Sequence, residues 1–450
     1  MSEAPSSPSP PHSPRTGQEL YLRAKHRIPG GTQLLGKRPE QYLPENWPAY
    51  YGRAKGCTVW DLDDRTYEDF TSNGIGTCLL GYADDTVNAA VADCIARGNM
   101  CTLSAPEEVY LADRLCAIHP WAEKVRYART GGEAMAIAVR LARAATARPT
   151  VAFCGYHGWS DWYLAANLAE LDALDGHLLP GLDPGGVPAS LRGTALPFRY
   201  NQIAQLETIV AKHRHDLAAI VMEPMRWDFP RDGFLEQVRA LADETGAVLI
   251  FDEITAGWRS HFGGIHLQLG VNPDVAVFAK AISNGFPMSA IIGRAAVMDA
   301  AQQTFISSTY WTESIGPVAA IATIERMGKV NVVEHIRLVG ELVRARWSAA
   351  SAKHGMPIKM MGQPALCIFN FDCADTSRAV MTLFTQEMLA RGFMANGAFY
   401  PTYAHQPAIV DRYLRAVDEV FAFLRSRFDR GEVLRALHGP VAQSGFARLT

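Results

Sequence analysis

Residues 247–293 read AVLIFDEITAGWRSHFGGIHLQLGVNPDVAVFAKAISNGFPMSAIIG. Two apolar runs within this stretch, Val248–Phe251 and Val275–Phe278, have the length and the β-branched or aromatic content of buried strands. Each run is followed by a residue that apolar surroundings do not explain. Asp252 comes directly after the first, and Lys280 two positions past the second. Parallel α/β sheets bind ligands in the crevice at the carboxyl ends of their strands, so both side chains are expected to face one crevice.

The flanking chain supplies the rest of such a sheet. Strand-like runs at Val125–Ala128, Val151–Cys154 and Ala219–Met222 alternate with helical spacing over Glu133–Ala147, Ile203–Arg214 and Phe234–Thr245. This rhythm predicts an α/β fold with a large, mostly parallel sheet covered on both faces. Upstream, Thr58–Asp61 and Arg65–Asp69 straddle Leu62-Asp63-Asp64 and read as a hairpin whose aspartates form the turn. Helical spacing follows over 84–97 and 106–118, and again from Gly316 to about His354. Beyond that, a strand at Ala365–Phe371 and helices at Ser377–Arg391 and Ala408–Arg425 predict a second, smaller α/β unit.

Composition narrows the class. The 450 residues are 48% hydrophobic and 20% charged, as in globular proteins with a sizeable core. A net charge of −3 gives no support for nucleic-acid binding or a polybasic membrane contact. No apolar run is long enough to span a bilayer. The 13 histidines form no HExxH-type motif, and no metal is expected. The 8 cysteines include no CxxC pair, which suits free thiols in a reducing cytosol. The N-terminal MSEAPSSPSPPHSPRTG lacks the apolar core of a signal peptide and reads as a disordered tail. A cytoplasmic protein is expected.

A lysine and a carboxylate at one crevice suggest a chemistry. The lysine forms a Schiff base with pyridoxal phosphate (PLP), and the carboxylate pairs with the protonated pyridine nitrogen. Taken singly, each residue has an ordinary alternative, a solvated loop lysine and a helix-capping aspartate. Thr130-Gly131-Gly132-Glu133 opens a helix after a strand and has capping-box spacing. Its glycines let the backbone approach a phosphate at a helix N-terminus, although a plain capped helix has the same sequence. In Gly155-Tyr156-His157-Gly158-Trp159, Tyr156 or Trp159 can stack on a flat ring or pack in the core. Glu223, before Pro224, can bond the cofactor or an incoming amine, or pair with an arginine. Hydroxyls in Ser307–Thr312 can hold phosphate, within one subunit or across a dimer interface, or merely cap the next helix.

With these pieces placed, the sequence resembles the class III aminotransferases of the fold-type I PLP enzymes, from about Tyr21 to Phe423, in the branch around glutamate-1-semialdehyde 2,1-aminomutase. The most specific parts are IFDEITAGWR and PDVAVFAKAISNGFPMSAIIG. The resemblance implies a tail over 1–17, a large PLP domain over 81–325, and a smaller domain built from 18–80 and 326–450. It implies that Lys280 is the Schiff-base lysine and proton carrier, and that Asp252 keeps the pyridine nitrogen protonated. Ile254 and Tyr156 would cover the two ring faces, with His157 and Glu223 also against the cofactor. Gly131 and Gly132 would form the phosphate loop. Its second position is usually Ser or Thr, so here the backbone must make that contact. The threonine that reaches a neighbouring subunit's phosphate falls at Thr312, with Thr309 as the alternative, implying a homodimer with shared active sites.

Two departures fall on substrate contacts. The aminomutase branch has a carboxylate-binding arginine where this chain has IPGGTQLLGKRPEQ, in which neither Lys37 nor Arg38 clearly fills that place. The loop before Ala404-His405 is also shorter. GYHGWSDWY and FISSTYWTE look more like a subgroup that aminates sugar or aminoglycoside carbonyls. The expected activity is ping-pong transfer of an amino group from an amine donor to an aldehyde or ketone, with Trp159, Lys37, Arg38, Tyr310 and His405 as candidate substrate contacts. A 2,1-aminomutase, a PLP-dependent epimerase and a non-catalytic PLP-fold partner protein are the other readings.

Overall fold

Strands that are apolar along their whole length need cover on both faces, and the fold is arranged to give it. The computed structural model describes residues 15–177, 180–225 and 227–443. In chain order the strands are β1 (Tyr51–Lys55), β2 (Thr58–Asp61), β3 (Thr66–Phe70), β4 (Lys124–Ala128), β5 (Thr150–Cys154), β6 (Ala195–Pro197), β7 (Leu217–Met222), β8 (Val248–Asp252), β9 (Val275–Phe278), β10 (Ser289–Gly293), β11 (Ile358–Gln363), β12 (Leu366–Phe371), β13 (Phe393–Ala395) and β14 (Ala398–Phe399).

The large sheet has the order β4-β10-β9-β8-β7-β5-β6. Strands β9, β8, β7, β5 and β6 run parallel, and β10 is antiparallel to both its neighbours. Every residue of β5, β7, β8, β9 and β10 is buried. Alternate side chains serve opposite faces. Val221, Ile250 and Val277 meet Ile137 and Leu141 of helix Gly131–Thr146 on one side. Ile220, Leu249 and Phe251 meet helices Ile203–His213 and Phe234–Thr245 on the other. This is the large, mostly parallel sheet covered on both faces that the sequence predicts.

The two chain ends share a smaller body. Strand β13 pairs parallel with β3, matching Glu68 to Phe393 and Phe70 to Ala395, and closes the sheet β1-β2-β3-β13. Strands β11, β12 and β14 form a third, antiparallel sheet. Phe70, Trp347, Phe369, Tyr413 and Phe421 lie in one core, in which the Phe70 and Tyr413 rings stack at 3.8 Å.

Some local expectations change. The run after Gly316 is two helices, Ile315–Val330 and Val332–His354, broken where Asn331 takes φ +47°. Helix Thr16–Lys25 takes in Thr16 and Gly17, which the sequence reading assigns to the tail. The rest of that tail, through residue 14, lies outside the described residues.

Candidate active site

Asp252 and Lys280 reach the same end of the large sheet because their strands are neighbours. Asp252 pairs with Val277 of β9, three residues before Lys280. The Asp252 carboxylate is buried. Its Oδ1 accepts the Ile254 N–H at 3.0 Å, and its Oδ2 lies 2.8 Å from His157 Nδ1. The second His157 nitrogen, Nε2, is 3.0 Å from the Cys154 carbonyl oxygen, which can only accept. Both ring nitrogens therefore face oxygen atoms, one of the Asp252 carboxylate and one of the Cys154 carbonyl. A carboxylate has about four lone-pair positions, so Asp252 keeps room for a further donor such as a pyridine N–H.

Lys280 opens a short 3₁₀ turn, Lys280–Ser283, with φ +50°. That left-handed conformation costs a non-glycine residue about 1 kcal/mol or more and concentrates at functional sites. Its Nζ donates to Thr255 Oγ1 at 2.9 Å. Thr255 was not singled out from the sequence, where a threonine three residues after Asp252 carries no spacing signal. Asn284 anchors the lysine loop. Its Oδ1 accepts from Leu80 N at 2.8 Å, and its Nδ2 donates to the Gly81 carbonyl at 3.0 Å.

The start of helix Gly131–Thr146 is held by the expected capping box, with Glu133 N to Thr130 Oγ1 at 3.3 Å and Thr130 N to Glu133 Oε2 at 2.9 Å. The two glycines admit neighbours that a side chain would displace. A Cβ on Gly131 would lie 2.9 Å from Ile254 Cδ1, and one on Gly132 would lie 2.9 Å from Trp159 Nε1. Glu223, buried just past β7, accepts the Tyr156 N–H at 3.4 Å. Gly155 permits this approach, since its φ is +112° and a Cβ there would stand 2.7 Å from Glu223 Oε2. The Gly155 N–H donates to His177 Nδ1 at 3.1 Å, and burial, assisted by the Arg199 and His157 charges, lowers the His177 pKa to about 4.

Close approaches of Gly131 to Ile254 and of Gly132 to Trp159, and hydrogen bonds of His157 to Asp252 and of Tyr156 to Glu223, thus gather these residues around the end of the sheet. A second buried basic group, Arg259, ties the segment after Asp252 to the smaller body. It donates to the Gly76 carbonyl and lies 5.6 Å from the Tyr400 ring centroid. Burial lowers its pKa to about 10.

Other residues singled out from the sequence lie elsewhere. Thr312 and Tyr310 occupy an exposed turn, Thr309–Thr312, in which Thr312 Oγ1 donates to the Thr309 carbonyl at 3.0 Å. Lys37 lines a cavity of about 480 Å³ together with Tyr42, Tyr50, Asp69, Ser72, Thr77, Cys78 and Tyr82. Neither Lys280 nor Asp252 lines that cavity, but Gly285 of the lysine loop does. Arg38 lies against Gly30. His405 requires a correction. It is fully buried, its Nδ1 accepts from Thr402 N at 3.1 Å, and its Nε2 donates to the Asp69 carbonyl at 2.9 Å. Neither nitrogen is left for a substrate, and its role is to pin the chain near 402 to the end of β3.

The donor set fits PLP. An amine sits beside a hydroxyl, a buried carboxylate retains acceptor capacity, and a glycine-opened helix start offers N–H groups to a phosphate. The family model for aminotransferase class-III matches residues 42–410. The 2'-deamino-2'-hydroxyneamine transaminase of Streptomyces kanamyceticus is 30% identical over 413 residues, covering 89% of this chain and 96% of its own. A glutamate-1-semialdehyde 2,1-aminomutase of Desulfovibrio desulfuricans is 31% identical, covering 90% of this chain and 98% of its own. Among solved structures, the PLP internal aldimine form of the Sphingopyxis sp. MTA144 FumI protein is similar with a TM-score of 0.82, at 26% identity, over 92% of this chain and 97% of that one.

Proposed function

Because the chain belongs to the aminotransferase class-III family and is a PLP-dependent aminotransferase, we propose that Lys280 and Asp252 carry a ping-pong transfer from an amine donor to the aldehyde or ketone of a sugar-like acceptor. The observation that carries this reading is the placement of Asp252 one strand from Lys280, at the same end of the sheet. PLP, when bound, supplies an electron sink that acidifies the C–H bond beside the donor nitrogen. Lys280 would hold the cofactor covalently and then move the proton between the donor carbon and the cofactor. The Thr255 hydroxyl would receive the lysine amine when it is displaced. Asp252, steadied by His157, would keep a proton on the pyridine nitrogen. Ile254 and Tyr156 would fix the plane of the ring, with Glu223 holding the Tyr156 backbone.

The substrate class rests on two supports. One relative is named as a transaminase of an aminoglycoside-type amine, 2'-deamino-2'-hydroxyneamine, whose carbonyl counterpart would be a sugar-like acceptor. The cavity beside the lysine loop is walled by tyrosines and hydroxyls, which suit the apolar faces and polar rims of sugar rings. The same reading divides the chain into a cofactor domain over 81–325 and a smaller domain from 18–80 and 326–450. It places the protein in the cytoplasm as a homodimer, with Thr312, or Thr309, reaching the partner's cofactor phosphate. The exposed segment carrying Phe305 and Tyr310 supports such a contact. No described helix is long and apolar enough to cross a membrane.

The test is borohydride reduction of the PLP-loaded protein, with and without Lys280→Ala, followed by donor and acceptor assays. Wild type should retain PLP covalently on the peptide containing Lys280 and release a keto product from its donor. Covalent retention in the alanine variant would reject Lys280. Turnover without a co-substrate would replace transamination by mutase or epimerase chemistry.

A further inference from the structure

The start of helix Gly131–Thr146 offers less than a full set of donors for a phosphate. The first N–H groups of a helix have no intrahelical acceptor, but that of Glu133 is already taken by Thr130 Oγ1 at 3.3 Å. With glycine at 132 there is also no side-chain donor. Trp159 stands at that place. Gly158, with φ +102°, brings its backbone so close that a Cβ on it would lie 3.2 Å from Gly132 Cα. This close passage lays the next residue's indole over Gly132. A Cβ at 132 would meet Trp159 Nε1 at 2.9 Å and Cδ1 at 3.1 Å. The polar edge of the indole, rather than its benzo ring, therefore occupies the space where a side chain at 132 would begin.

That edge is uncommitted. An indole N–H can only donate, and no described residue accepts from it. The side chain is 70% exposed, so core packing does not explain where it lies. Nothing forces a tryptophan to turn its Nε1 toward a helix start, where the dipole favours an anion rather than another donor. The geometry points to Trp159 as a ligand of the cofactor phosphate, its Nε1–H donating to a phosphate oxygen at the start of helix Gly131–Thr146 in place of the side-chain donor that position 132 lacks. Gly132 and Trp159 then form one device, the glycine making room for the indole and the indole replacing the missing group. This rests on the reading that PLP binds with its phosphate at this helix.

The experiment uses pyridoxamine 5'-phosphate and pyridoxamine, which bind without bonding to Lys280 and differ only by the phosphate. Affinities of both for the cofactor-free protein are measured by isothermal titration calorimetry, for wild type and Trp159→Phe. The phenylalanine keeps an aromatic ring and removes the N–H. Hydrogen bonds to charged groups have magnitudes that correspond to about a tenfold change in affinity. Trp159→Phe should therefore weaken pyridoxamine 5'-phosphate about tenfold and leave pyridoxamine unchanged. Equal weakening of both would make Trp159 a packing residue, and no weakening of either would remove it from the site. Either result overturns the proposal while wild type still prefers the phosphorylated form. If wild type itself shows no such preference, the phosphate does not sit at this helix, and the underlying reading fails with the proposal.

Discussion

Replacing His157 by Phe tests how Asp252 is held. The position tolerates the ring, because Phe153, Trp162 and Tyr163 already surround His157 with centroids 5.9–6.1 Å away. The change removes the 2.8 Å contact to Oδ2 and leaves a buried carboxylate with the Ile254 N–H. Taking one partner from a buried ion pair typically costs about 3–5 kcal/mol, mostly through the stranded charge. In an Asp252→Asn background that charge is absent, and the same replacement should cost about 1 kcal/mol. The double-mutant cycle therefore predicts a coupling of about 2–4 kcal/mol. Urea unfolding of the cofactor-free protein, followed through the transition of the large sheet, supplies the four stabilities. A coupling below about 0.5 kcal/mol, the scatter expected of independent sites, would show that His157 does not hold Asp252 in charged form.

Thr255→Val keeps the shape but removes the acceptor 2.9 Å from Lys280 Nζ. Stopped-flow measurement should show the donor half-reaction slowed by about tenfold with PLP content unchanged, and an unaltered rate would remove Thr255 from the site. Gly131→Ala sets a Cβ 2.9 Å from Ile254 Cδ1, so cofactor affinity should fall about tenfold and recover in part when Ile254→Val is added. Lack of recovery would place the clash elsewhere. His405 has its pKa lowered by burial from 6.5 to about 4. A group buried neutral in this way favours the folded state fully above pH 6.5, and the benefit drains away as pH falls toward about 4. Wild type should accordingly lose about 1–2 kcal/mol more than His405→Gln between pH 7 and 5 in parallel urea titrations. Equal losses would contradict the buried, neutral imidazole.

What was legible in the sequence follows physical lines. Strands β5, β7, β8 and β9 are unbroken apolar runs because both their faces are covered, and they stood out for that reason. Strand β1 did not, since its residues are mostly exposed and show no alternation. Strand β6 has three residues including Pro197, and β10 follows the lysine loop without a break in character. The division of the long helical run depends on the left-handed turn at Asn331, which an asparagine permits but does not demand. In the site, the strand ends that place Asp252 and Lys280 could be read from position alone. The His157–Asp252 contact, the Thr255 hydroxyl and the indole over Gly132 depend on how loops pass one another, which no local spacing encodes. His405 shows the converse error, because a histidine near the end of a chain gives no sign that both its nitrogens are already spent.

The pairing of β3 with β13 bears on how the protein is made. Glu68 finds its partner Phe393 more than 300 residues later in synthesis, whereas β4 through β10 are delivered as one continuous stretch. At about 5–20 residues per second the N-terminal hairpin waits tens of seconds with an open edge. Contacts this distant are slow to form in any case. The large sheet, with Asp252 and Lys280 at its end, should therefore close on the ribosome before the smaller body exists. Order of delivery then puts capture of the cofactor ahead of completion of the smaller body, and a nascent chain stalled before residue 393 should already retain PLP while its hairpin remains sensitive to protease.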